Sequence, residues 1–329
     1  MKHIIGILIT FLLFATTEVF AVNTERLMRQ ANRYFAPLPA VMPGSENDTL
    51  ERVALGKKLF FEKRLSINNT QSCATCHRLK NGFAGVDNLS TSPGAKGEKG
   101  TRNSPTVLNS GWQDGQFWDG RAKDLVEQAK GPILNPIEMG MPDEKTVEKK
   151  IRGIGEYQNA FTKAFPESKI AITYQNIAEA IAAFERTLIT PARFDDFMNG
   201  DVNALSEAEL RGLKAFIKLD CKSCHDGKLL GGEAYETLGK ENPYENQSDP
   251  GIYALTKDED DRMVFKVSSL RNVALTAPYF HDGKIKTLDD AVRKMGKLQL
   301  DKELNEQQVK DITAFLKTLN DKNRAHKNN

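Results

Sequence analysis

The sequence predicts a mainly α protein built as two related modules packed across an interface, and three observations carry that expectation. Apolar residues recur at helical spacing in several segments, while no segment sustains the alternation of a half-buried strand. A Gly-x-x-x-Phe pattern precedes a cysteine pair twice: Gly56 and Phe60 before Cys73, Gly212 and Phe216 before Cys221. The cysteines themselves are confined to two short clusters of the same form, one in each half of the chain.

The first element reads as an export signal. Lys2 opens it, Ile4 to Phe14 is apolar, and Val19-Phe20-Ala21 puts a small residue at the cut, so residues 1–21 are expected to be removed and the mature chain to begin at Val22. The apolar run falls well short of the roughly 20 residues that a spanning helix needs. No cysteine stands near the cut to take a lipid, so a periplasmic protein with no membrane anchor is expected.

Residues 22–193 form the expected first module, with 22–38 free to pack on the second. Within it, Thr91 to Thr101 is rich in Gly, Lys and Ser and reads as a mobile loop. Ile177, Ile181, Phe184 and Leu188 share a helix face that proline ends near Thr190-Pro191. The second module, 194–321, starts a helix at Ser206 and Glu209, a capping-box pair ahead of Leu210, Leu213, Phe216 and Ile217. A later helix opens at Thr287, carries Leu288, Val292 and Met295, and is closed by Gly296. The last helix presents Val309, Ile312, Leu316 and Leu319, and residues 322–329 read as a flexible polar tail.

Composition bounds the function. The 329 residues, 40% hydrophobic and 27% charged, suffice for a real core and exclude a disordered chain. The 46 basic residues against 44 acidic ones leave a charge of +2 with no dense basic stripe, so nucleic acid is not an expected partner.

All four cysteines fall in Cys73-Ala74-Thr75-Cys76-His77 and Cys221-Lys222-Ser223-Cys224-His225. Two thiols at this spacing form thioethers with the two vinyl groups of a haem, and the adjacent His is carried beneath the iron as its proximal ligand. A zinc site, a pair of disulfides or a thioredoxin-like redox pair would each leave the two histidines unexplained. The chain is therefore expected to carry two covalent c-type haems. Each iron has a sixth position, and histidine is scarce: with His3 in the signal, His326 in the tail, and His77 and His225 proximal, His281 alone remains. Met295 lies on an apolar helix face, where a Met is either plain core or a thioether ligand, and the pattern leaves both open.

At these residues the chain resembles the bacterial di-haem cytochrome c peroxidases, a family that includes the MauG-type enzymes. The resemblance runs through Arg102-Asn103-Ser104-Pro105-Thr106, Phe117-Trp118-Asp119-Gly120-Arg121, Gln128-Ala129-Lys130-Gly131-Pro132, Glu138-Met139, Phe184 to Pro191, and Ser269 to Gly283. It implies two cytochrome c-like haem domains, a peroxide-reducing haem on Cys73, Cys76 and His77, and an electron-entry haem on Cys221, Cys224 and His225. It further implies Met295 as thioether ligand to the second iron, where MauG-type enzymes use a tyrosine, and Trp118 between the haems. Glu138 and Gln128 match the polar pair on the open side of the first haem, the carboxylate moving the proton from one peroxide oxygen to the other. Asn103, with the carbonyls of Thr276 and Pro278, matches an oxygen-only calcium site, while His281 is a structural or hydrogen-bonding residue. The implied partners are hydrogen peroxide, a small cytochrome c or cupredoxin as electron donor, and a second copy of the chain in a homodimer.

One departure matters. Many family members place a blocking histidine in the loop before Arg102-Asn103, and here Ala95 stands at that position. Alanine has no donor atom. Lys96 and Lys99 offer nitrogens, but an ammonium has no lone pair to give. The expectation is an open first iron and a peroxidase that needs no reductive activation. A MauG-like oxidase of a protein partner and a non-enzymatic di-haem electron carrier are the alternatives.

Overall fold

A computed structural model describes residues 23–325. The signal reading, His3 and His326 lie outside them. The described chain is mainly helical. Its first half holds α1 (Thr24–Ala31), α2 (Leu50–Phe60), α3 (Cys73–Cys76), α4 (Leu125–Leu134), α5 (Glu144–Arg152), α6 (Gly155–Ala164) and α7 (Tyr174–Glu185). The second half holds α8 (Arg193–Met198), α9 (Glu207–Lys218), α10 (Tyr253–Thr256), α11 (Leu288–Leu300), α12 (Glu306–Lys317) and α13 (Lys322–Ala325). Two three-residue strands, β1 (Tyr235–Thr237) and β2 (Val264–Lys266), pair antiparallel with Tyr235 opposite Lys266.

Each half is organised around one close helix crossing, and the two repeated glycines make both possible. A Cβ on Gly56 of α2 would lie 1.7 Å from the Ala180 carbonyl of α7, and one on Gly212 of α9 would lie 1.9 Å from the Asp311 carbonyl of α12. Only glycine lets backbones approach so closely. Phe60, one turn later, packs on Phe184 of α7, and Phe216 packs on Phe315 of α12. The Gly-x-x-x-Phe repeat is thus the signature of a crossing used twice.

Two main cores result. One gathers Leu59, Phe60, Phe161, Ile177 and Ile181. The other gathers Phe194, Phe197, Leu213, Phe216 and Phe315, together with Leu27, Ala31 and Phe35 from the N-terminal segment. Capping follows the sequence at Ser206 and Glu209, which bond reciprocally, and at Thr287, which accepts from the Asp290 amide.

Four details differ from expectation. Helix α7 ends at Glu185, because Thr187 turns back onto the Phe184 carbonyl and Asn109 takes the Thr190 amide at 2.9 Å. Helix α11 runs through Gly296, where a Cβ would crowd Leu304 at 2.9 Å, so this glycine serves packing and not termination. Residues 322–325 are helical, with Lys322 paired to Asp196 and Arg324 bonded to the Phe83 carbonyl. Thr91 to Thr101 contains a hairpin, closed by a Pro93–Lys99 bridge with Gly97 at φ +86 at its tip.

Candidate haem sites

The first site is built on α3, a single turn whose Ser72 and Thr75 side chains cap its start. His77 follows directly, half-buried, with Nδ1 3.1 Å from the Gly85 carbonyl. A carbonyl can only accept, so Nδ1 carries the proton and Nε2 keeps the lone pair a metal needs. The second site repeats the arrangement: His225 Nδ1 lies 3.1 Å from the Leu230 carbonyl. Burial lowers both imidazoles below their ordinary range, which favours the neutral, ligating form. Sequence reading named the histidines but missed the two carbonyls, which loop geometry alone brings into place.

Glu138 sits just beyond α4. The chain doubles back there, with the Met139 amide on the Pro132 carbonyl at 3.1 Å and the Met141 amide on the Ile133 carbonyl at 3.0 Å. Glu138 is thereby folded back over the end of the helix that carries Gln128. Asn135 donates to its carboxylate at 2.9 Å. Burial raises its carboxyl above the ordinary glutamate range, against the opposing pull of Arg121 and the Asn135 bond. Before haem attachment, burial also lifts the Cys76 thiol to about 11, a Ser92 bond opposes the rise, and the charges of Asp87 and Glu138 add to it.

The hairpin that was expected to be mobile is what braces this acid. The Ala95 amide donates to the Glu138 carbonyl at 2.6 Å, and Asn68 donates to the Ala95 carbonyl. Gly94 is required, since a Cβ would fall 1.6 Å from the Ile137 carbonyl. Lys96 and Lys99 are exposed on this hairpin.

The remaining candidates meet around a cavity of 530 Å³, whose wall includes Cys221, Cys224, His225, Met295 and Trp118. Asn103, Thr276 and Pro278 line it as well. The Trp118 indole donates to the Asn103 carbonyl at 2.8 Å, and Asn103 turns its amide nitrogen to the Leu89 carbonyl at 2.8 Å. His281, 1% exposed, stacks on Phe265 at 4.4 Å and meets Trp118 edge-on, yet neither of its ring nitrogens has a hydrogen-bond partner. A buried imidazole in that state calls for a polar group that the described residues do not supply. A haem, apolar in its body and carrying two carboxylates, fits both this wall and the paired thiols beside a prepared imidazole.

No helix of the described residues is long and apolar enough to cross a membrane. The profile of the di-haem cytochrome c peroxidase family matches residues 50–203, and that of cytochrome c matches residues 209–320. Cytochrome c551 peroxidase of Pseudomonas aeruginosa is 45% identical, over 91% of this chain and 88% of its own. The protein of the same name from Nitrosomonas europaea is 46% identical, over 88% of this chain and 84% of its own. A MauG-like protein associated with microbial copper homeostasis superposes with a TM-score of 0.77 at 30% identity, over 88% of this chain and 95% of its own. On these matches and this two-module architecture, the chain belongs to the di-haem cytochrome c peroxidase family and carries two c-type haems.

Proposed function

We propose that this protein is exported to the periplasm and reduces hydrogen peroxide to water with electrons from a small cytochrome c or cupredoxin, without needing prior reduction. The observation that carries the reading is the setting of Glu138, a half-buried acid held by Asn135 and braced by the hairpin at Ala95. The relatives named cytochrome c551 peroxidase support the same activity.

Cys73, Cys76 and His77 would hold a haem, whose iron would supply the redox chemistry for reductive cleavage of the peroxide O–O bond. Glu138 takes the proton from one peroxide oxygen and returns it to the departing one, so that water leaves in place of hydroxide. Its raised affinity for a proton makes the carboxylate a stronger base than an ordinary glutamate for the first transfer. Gln128 orients the substrate by hydrogen bonding without adding charge. His225 and Met295 would hold the electron-entry haem, and Trp118, on the same cavity wall, would serve as a relay toward the first module. Asn103 and the carbonyls of Thr276 and Pro278 form an oxygen-only site suited to calcium. The two modules divide at 193/194, and two copies assemble as a homodimer.

The test mixes oxidised, haem-loaded protein with peroxide and reduced cytochrome c, with and without a prior reduction step. Equal initial rates are expected. Turnover only after reduction contradicts the ready state, and no peroxide-dependent donor oxidation contradicts the peroxidase. A MauG-like oxidation of a protein partner is favoured by Ala95 and opposed by Met295; it would consume peroxide without dependence on a reduced cytochrome.

A further inference from the structure

The wall of the 530 Å³ cavity contains a lysine that neither haem attachment nor peroxide chemistry uses. Lys266 ends β2 and is 7% exposed. Its backbone amide donates to the Trp118 carbonyl at 2.8 Å. Its Nζ donates to the Gly115 carbonyl at 2.6 Å and to the Gln113 side-chain oxygen. Both acceptors are neutral and both lie in the first module, so the residue joins the two halves beside Trp118.

The charges around it leave Lys266 uncompensated. The buried Asp119 acts on Lys266 by its charge, but it is bound by Arg102 at 2.6 Å and by Arg121 at 2.9 Å, and Arg102 also takes Asp249 at 2.6 Å. These two cations and two anions balance one another. Asp114 is exposed. Opposite Lys266, β1 contributes Tyr235, and the same wall holds the half-buried imidazole of His225 and the buried one of His281. Burial pulls the Lys266 ammonium down to about 8, against the raising charges of Asp119 and Asp114. An ammonium without an anionic partner in an apolar wall is costly, and its field reaches far in so poor a dielectric.

We propose that Lys266 is a positioning residue for the second haem: its buried positive charge, fixed in the wall of the cavity that would hold that cofactor, keeps its reduction potential up and favours electron entry. The sign follows from electrostatics, since reduction adds a negative charge and a nearby cation stabilises the reduced form. The inference rests on the second haem occupying this cavity, and not on peroxide turnover.

The test is an equilibrium redox titration of the low-spin haem in haem-loaded wild type, Lys266→Met and Lys266→Arg, followed optically near pH 7. Lys266→Met is expected to shift the midpoint to lower potential, and Lys266→Arg to keep it near wild type. An unchanged midpoint in Lys266→Met, or an equal fall in both variants, would overturn the proposal. Should Lys266→Met fail to load haem, wild type and Lys266→Arg are compared as pH rises through 8. A fall in the wild-type midpoint that the arginine variant lacks supports the proposal, and parallel curves overturn it. Because potentials are read without peroxide, failure here is distinct from failure of the peroxidase assay.

Discussion

At the scale of single residues, the candidate groups are held by neutral partners, backbone carbonyls for His77 and His225 and the Asn135 side-chain amide for Glu138. Glu138→Gln keeps the side chain's size and its place over α4 but cannot carry a proton. Turnover is expected to fall by about 10²- to 10⁴-fold while both haems remain attached, as steady-state kinetics and a haem stain would report; undiminished turnover removes Glu138 from the mechanism. The pH profile adds a sign. Below its pKa Glu138 is already protonated and cannot accept, so activity falls as pH drops. Because burial raises that pKa, the acid limb of kcat/KM is expected above the ordinary glutamate value of about 4.3, and it disappears in the glutamine variant. Glu138 was singled out only by the family resemblance. Its brace was not, because the bond from the Ala95 amide to the Glu138 carbonyl joins backbone atoms far apart in sequence, and no side-chain pattern records it.

At the scale of elements, the repeated Gly and Phe were readable and their reason was not. Both glycines lie where one helix backbone meets another. Gly56→Ala and Gly212→Ala are each expected to cost roughly 1–3 kcal/mol or more through overpacking, measured by denaturant unfolding of the haem-loaded protein. Unchanged stability would mean that the crossings are looser than described. The small sheet escaped sequence reading because three residues per strand are too few to show alternation. The end of α7 escaped because Leu188 continues the apolar spacing after Thr187 and Asn109 have already redirected the backbone. Hairpin 93–99 read as mobile from its composition, yet one of its glycines, Gly94, permits its tight docking against Ile137.

At the scale of the whole molecule, two charged networks tie distant segments together. Arg271, 1% exposed, donates to Asp195 at 2.7 Å, to the Lys228 carbonyl at 2.9 Å and to the Ala36 carbonyl at 3.3 Å. Asp195 also accepts the Leu38 amide at 2.9 Å, which straps the N-terminal segment to the second core. Asp195→Ala leaves a buried guanidinium unpaired and is expected to cost about 3–5 kcal/mol, seen as a lowered unfolding midpoint; a loss under 1 kcal/mol would contradict a structural role for the pair. The two-module plan was legible because cysteine pairs and helix periodicity are local signals. The interface was not, since pairs such as Arg102–Asp249 join residues from opposite halves. The central claim concerns the iron that His77 would hold: many members of the family carry a blocking histidine at the position of Ala95, whose side chain has no donor atom. Electron paramagnetic resonance of the oxidised, haem-loaded protein tests it most directly: one high-spin and one low-spin ferric signal are expected, and two low-spin signals would contradict the account.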